Sequence, residues 1–231
     1  MRSRLVPVKE LSGRERNSMR LLLERQFDGV TRARFDADLA GKSAALLLLD
    51  ARNEIAGFST VLVRTAALSG ETVTLVYSGD TVVDPAARQS ALLARAWIAG
   101  VRELIGETSH RALWLLICSG FRTYRFLPVF WREFWPRWDR ETPPQVTREI
   151  DELARVVFGE AWHGEAGVVR LSAPQVLRED GAAIVEGRLR DPDVAFFLSR
   201  NPGWVRGDEL VCLAEISEAN LTRAGRRAWG H

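Results

Sequence analysis

The sequence predicts a mixed α/β domain of the α+β kind: a mixed central sheet flanked by helices, followed by an aromatic-rich C-terminal elaboration. Three observations predict it. Runs rich in β-branched and apolar residues alternate with runs of helical period. A strand, a helix and a strand follow one another over residues 71–118, an order that needs a crossover and so sets two strands side by side in parallel. With 46% of 231 residues hydrophobic, the chain can also bury a substantial core without disulfide staples.

Taken in order, a short extended start leads to Ser12-Gly-Arg-Glu. This opens an amphipathic helix carrying Met19, Leu22, Leu23 and Phe27 at helical spacing, with Ser12 as its cap. A second helix covers Arg32–Leu39 and ends at Gly41. Ala44–Asp50 and Ile55–Thr65 read as an antiparallel hairpin around the turn residues Asp50-Ala-Arg-Asn-Glu. Glu71–Val83 is a long strand closed by Asp84-Pro85. From Ala86 to Ile105 small and apolar residues repeat at helical period, and Arg111–Cys118 is again strand-like. Glu141-Thr-Pro-Pro is a loop, and its prolines open a helix around Val146–Phe158. Ala173–Glu179 and Asp191–Ser199 read as further helices, Asn201-Pro-Gly as a breaker, and Leu210–Ile216 as a last strand before a polar, Arg-rich end.

Charge excludes little. Thirty-two basic and 30 acidic residues leave a net +2 with no block of one sign, so no nucleic-acid partner is expected. Only Lys9 and Lys42 among the basic residues are lysines. Cys118 and Cys212 sit in apolar runs without metal-ligand spacing, which predicts free thiols, no metal and a reducing cytoplasmic location. The start has no apolar core of a signal peptide, and no run is long enough to span a membrane.

The segment Leu75-Val-Tyr-Ser-Gly-Asp-Thr-Val-Val-Asp-Pro-Ala-Ala-Arg carries the most information. It resembles the fourth strand and donor-loop entry of the GNAT superfamily of N-acyltransferases, with hydrophobic-x-Pro-x-x-Arg matched at Val83, Pro85 and Arg88. The order of elements over roughly residues 5–125 is that of the same fold. The resemblance implies a GNAT-like core over residues 1–145, with residues 146–231 packed on the same sheet in one structural domain. It implies a thioester donor, acetyl-CoA or a longer acyl-CoA, and an amine acceptor. Val82, Val83, Arg88, Gln89, Ser90 and Ala91 would hold the donor, whose pyrophosphate would meet the unpaired N–H groups of the following helix. The family's Arg-x-x-Gly-x-Gly/Ala reads here Arg88-Gln89-Ser90-Ala91-Leu92-Leu93, so both glycines are replaced. Three readings of that loop stand side by side: coenzyme A binding through Arg88, Gln89 and Ser90, a carrier-protein thioester, and a decayed site.

Direct attack of an amine on a thioester needs a base and an acid for the leaving thiolate. Tyr77 and Asp80 are the titratable residues of the long strand. Asp80 lies close to where the resemblance implies a base, and Gly79 before it equally suggests a bulge. Tyr124 resembles the tyrosine that many family members place near the departing sulfur, and it is equally a core aromatic. His110, His163 and His231 form no catalytic order with a nucleophile. The stretch Phe121–Trp138 interleaves aromatic residues with arginines at 122, 125, 132 and 137. It reads as core, as the lining of a cavity for a long acyl chain or bulky acceptor, as a peripheral membrane surface, or as a nucleic-acid stacking surface. The alternative to an enzyme is a catalytically inactive GNAT-like module that binds a protein or ligand. No motif encodes the acceptor, the acyl length or the oligomeric state.

Overall fold

The computed structural model describes residues 1–87, 92–178 and 186–230. The chain forms β1 (Arg2–Pro7), α1 (Gly13–Glu24), β2 (Phe27–Asp28), α2 (Arg32–Ala40), β3 (Ala44–Leu49), β4 (Ile55–Leu68), β5 (Glu71–Val83) and α3 (Leu92–Ile105). It continues through β6 (Ala112–Cys118), α4 (Phe121–Tyr124), α5 (Phe126–Phe130), α6 (Pro144–Phe158), β7 (Trp162–His163), β8 (Val168–Val169) and β9 (Val176–Leu177). It ends with α7 (Pro192–Arg200), β10 (Glu209–Glu215) and α8 (Arg223–Trp229). Among the described residues, one mixed sheet runs in the order β1-β3-β4-β5-β6-β10-β8-β7. Its β5–β6 pair is parallel, as the strand–helix–strand order requires, and the other pairs are antiparallel.

Side-chain alternation decides what covers each face. Leu46, Val76, Trp114, Leu116 and Cys212 point to one face, which α3 covers with Trp97, Ile98 and Val101. The buried part of the aromatic stretch, Phe121, Tyr124, Leu127, Phe130, Trp131 and Phe134, packs into the same core. The stretch is therefore mainly packing, although Trp138 remains 54% exposed.

The opposite face carries two separate cores. Leu47, Phe58 and Val82 pack against Met19, Leu22, Leu23 and Phe35 of α1 and α2. Val73, Leu75, Leu115 and Leu213 pack against Ile150 and Leu153 of α6. On β5 the boundary between these cores falls at Tyr77 and Asp80, and a polar gap opens there.

The helix termini follow their sequence signals. Ser12 caps α1 in a reciprocal box: its Oγ accepts from the Glu15 N–H at 3.2 Å, and its own N–H donates to Glu15 Oε2 at 2.8 Å. Pro144 stands in the first turn of α6.

Three segments differ from the sequence reading. Residues 173–178 of the expected helix Ala173–Glu179 are not helical, with Val176–Leu177 in a strand, and Glu179 lies outside the described residues. Val176–Leu177 pair instead with Phe27–Asp28, and the Arg178 N–H donates to the Gln26 carbonyl at 3.0 Å, so the segment's backbone groups are satisfied by a strand rather than by a helix. The helix expected from Ala86 begins at Leu92 among the described residues, after a 3₁₀ turn over Pro85–Ala87. The Arg-rich end forms α8, capped by Thr222 Oγ1 on the Gly225 N–H at 3.2 Å, and packs on α3.

Candidate active site

Strand β5 is long enough to serve two neighbours, and it treats them differently. Its register with β4 places Ser59 opposite Thr81 and Val61 opposite Ser78, so Gly79 and Asp80 together face Thr60 in a bulge. Its parallel pairing with β6 ends at Ser78↔Leu116, while pairing with β4 continues to Val83. The two parallel strands therefore diverge at their C-terminal ends, next to the bulge. A Cβ on Gly79 would lie 2.5 Å from Lys42 Cε and 2.6 Å from Thr60 Oγ1, so any side chain there must displace these neighbours.

Ionisable groups collect in the polar gap beside it. The Lys42 side chain is only 4% exposed. Its ammonium pairs with the Asp38 carboxylate, donates to the Asp38 carbonyl at 3.3 Å and lies 5.3 Å from the Tyr77 ring centroid. Burial raises the Asp80 carboxyl to about 7, reinforced by Asp38 and opposed by Lys42, Arg34 and a hydrogen bond with the Gln175 side chain. Glu209, first in β10, is raised to about 8 by burial, then by Asp80 and Asp38. The Tyr77 hydroxyl is pushed well up by burial, then by Glu209, Asp38 and Asp80. These mutual effects identify Asp38, Tyr77, Asp80 and Glu209 as one electrostatic group with Lys42. Among the described residues no three His, Cys, Asp or Glu side chains are arranged to hold a metal.

The other face of the divergence is aromatic. A cavity of about 20 Å³ is lined by Ser59, Ser78 and Thr81 of the sheet, by Leu93 and Trp97 of α3, and by Thr123 and Trp131 after β6. Trp97, Trp114 and Trp131 stack around it, with centroids 4.2 Å apart for Trp97–Trp114 and 4.6 Å for Trp114–Trp131. The Trp114 Nε1–H donates to Ser78 Oγ at 2.7 Å, tying this cluster to β5.

The sequence-predicted residues separate accordingly. Asp80 lies in the polar gap. The Val82 side chain is buried against Phe58, and the Val83 carbonyl accepts from Gln26 Nε2 at 3.0 Å. Arg88, Gln89, Ser90 and Ala91 lie outside the described residues.

Tyr124 is fully buried among Phe134, Phe196 and Phe197, and its hydroxyl donates to the Pro136 carbonyl at 3.0 Å. Burial pushes that hydroxyl's pKa up, and Cys212, Asp193, Cys118 and Arg137 are the groups that act on it. It therefore belongs to a different electrostatic neighbourhood from Asp80.

Sequence reasoning missed Asp38, Lys42, Gln175 and Glu209 as site residues. Lys42, one of two lysines in an arginine-rich chain, was the available signal. Glu209 precedes Val211 and Leu213 on the inward side of a strand, a placement that shows only once the strand start is known.

No family model matches the sequence, and no curated protein does. Solved structures with similar folds include a GNAT family N-acetyltransferase from Escherichia coli in complex with CoA, at TM-score 0.42 and 18% identity over 55% of this chain and 68% of that one. A probable N-acyltransferase from Enterococcus faecalis gives TM-score 0.44 and 13% identity over 72% and 45%. The N-myristoyltransferase of Saccharomyces cerevisiae with bound myristoyl-CoA gives 0.39 and 12% over 51% and 29%. The chain's own geometry is a mixed sheet in which β10 lies between β6 and β8 and the bulged β5 diverges from β6 ahead of α3.

Proposed function

We propose that the chain is an acyltransferase that moves an acyl group from a thioester donor to an amine, with Asp80 as the general base. The observation that carries this reading is Asp80 itself: a partly buried carboxyl raised to about 7, on the bulge of a strand that diverges from its parallel neighbour. A base with that pKa is half ionised near neutrality, where proton transfer from an amine is best matched. The acceptor nitrogen forms the new bond to the thioester carbonyl carbon, the carbon–sulfur bond breaks, and the nitrogen's proton passes to Asp80. The departing thiolate takes a proton in turn.

The donor would run along the diverging end of β5 past Val82 and Val83, its phosphates reached by Arg88, Gln89, Ser90 and Ala91. Tyr124 can protonate the thiolate only by giving up its bond to Pro136. Turnover that falls at least tenfold in Tyr124→Phe with donor binding unchanged assigns it that role, and unchanged turnover removes it.

A second reading, a non-catalytic GNAT-like module, is favoured by Leu93. This side chain stands where the family has a small residue, is 3% exposed and fills the cavity wall. A thermal-shift titration with acetyl-CoA and a long-chain acyl-CoA separates the two. Binding at a hundredfold over Kd stabilises the fold by about 2.7 kcal/mol. A shift with acetyl-CoA supports the enzyme, and no shift with either donor overturns its coenzyme A version.

A further inference from the structure

The indole rings around the aromatic cavity are not equivalent. Trp97, Trp114, Trp131 and Trp162 are the buried tryptophans of the chain. The Trp114 Nε1–H donates to Ser78 Oγ at 2.7 Å, and the Trp162 Nε1–H donates to Asp151 Oδ1 at 2.8 Å. The Nε1–H groups of Trp97 and Trp131 are sealed from solvent and have no hydrogen-bond partner among the described residues. Trp97 is 6% exposed and Trp131 3%, and both rings wall the cavity, with centroids 6.0 Å apart. A buried donor left unpaired costs the fold stability, and two of them at one cavity require an acceptor that the chain does not itself supply.

Three of the cavity's hydroxyls are already engaged. Those of Ser59 and Thr81 are bonded to each other at 2.8 Å, Thr81 Oγ1 also donates to the Gly79 carbonyl at 3.4 Å, and Ser78 Oγ accepts from Trp114. No ionisable side chain lines the cavity, so nothing there would offset a full charge on a bound group. Its volume of about 20 Å³ has room for one small group. A water would bring two protons of its own into a wall whose hydroxyls are engaged, whereas a carbonyl oxygen only accepts. Ser78 is the last residue of β5 paired with β6, and Thr81 lies beyond it, so the cavity borders the divergence along which the donor is proposed to run.

We propose that the cavity receives the carbonyl oxygen of the donor's thioester, with the indole N–H groups of Trp97 and Trp131 as its hydrogen-bond donors. When the acceptor nitrogen bonds to the carbonyl carbon, the π pair of the C=O bond moves onto this oxygen. The two N–H groups stabilise that charge until the pair returns, the carbon–sulfur bond breaks and its electrons leave with the thiolate. The nitrogen's proton goes to Asp80, as before. Donors fixed in an uncharged, water-poor wall need no rearrangement to meet a developing charge, which is where such groups contribute most to rate. The assignment rests on the acyl-transfer reading above, and it makes Trp97 and Trp131 catalytic residues distinct from the base.

Uniformly ¹⁵N-labelled full chain reports each indole N–H separately. It is titrated with coenzyme A and with an acetyl-CoA analogue in which CH₂ replaces the sulfur, a ketone that cannot transfer its acyl group. The ketone should move the Trp97 and Trp131 indole resonances downfield, and coenzyme A should not. Indoles that stay in place while other resonances move, or that move equally with both ligands, overturn the proposal. Exchanging the indole of Trp97 or Trp131 for benzothiophene removes the N–H and keeps the ring's size. Each exchange should lower kcat by about 10²-fold with KM for acetyl-CoA unchanged, while the same exchange at Trp162 leaves kcat as it was. An unaltered kcat in both exchanged proteins overturns the proposal, and the titration decides even where an exchanged protein does not fold. Failure of acyl transfer itself would show differently, as no resonance moved by either ligand and no acetyl-CoA thermal shift.

Discussion

On the proposed mechanism Asp80 concentrates the chemistry of the site in one side chain. Asp80→Asn removes the base while keeping the side chain's size, so kcat should fall by about 10²–10⁴-fold with the acetyl-CoA thermal shift intact. In the unaltered chain kcat/KM should rise with pH through about 7, as Asp80 ionises, and that limb should vanish in Asp80→Asn. Stability should move the other way. Asp80 and Glu209 hold their protons to about 7 and 8 when folded, whereas in the unfolded chain both carboxyls ionise near their ordinary values of 3.8 and 4.5. Between those limits the folded state binds more protons, so these groups make stability decline as pH rises. Melting temperatures compared at about pH 5 and about pH 8 should show this, and the double variant Asp80→Asn/Glu209→Gln should flatten the difference.

At the scale of elements, β5 makes a site out of a strand. Gly79 gives the bulge its room, and a methyl group there must displace Lys42 or Thr60. Gly79→Ala should therefore destabilise the chain by about 1–3 kcal/mol in urea unfolding and also disturb the Asp38–Lys42 pair. The cap of α1 is a separate matter: Ser12→Ala should cost about 1 kcal/mol and leave the site untouched.

These elements were legible because their signals are local. Thr72, Val73, Thr74 and Val76 specify a strand, Ser12 and Glu15 a helix start, and Gly79-Asp80 a bulge. Residues 173–178 were misread because their strand pairing depends on Phe27–Asp28, nearly 150 positions earlier, a partner that no local pattern announces. The group around Asp80 was legible only in part for the same reason. Asp38, Lys42 and Glu209 reach it from α2, the turn after it and β10.

At the scale of the molecule, the sheet joins segments from both ends of the chain. The parallel β5–β6 pair followed from the order of elements. The place of β10 between β6 and β8 did not, because antiparallel partners far apart in sequence can be ordered in several ways. Helix α8 closes the face carrying α3, with Gly225 set against Phe130 and Ala228 buried. Deleting residues 222–230 should expose that part of the core and lower the melting temperature by more than Ser12→Ala does, as read by calorimetry.

The position of β10 also bears on how the chain is made. Until residue 215 has emerged from the ribosome, β6 has no partner on its second side and presents Ala112–Cys118, an uninterrupted apolar run, as an open edge. The nascent protein therefore carries this apolar strand unprotected through the synthesis of nearly a hundred further residues. Released chains truncated before Asp208 should recruit chaperones or aggregate, whereas released chains that end after Ile216 should not. The same closing strand brings in Glu209, so the molecule becomes safe from its neighbours and complete in its polar gap in a single late event.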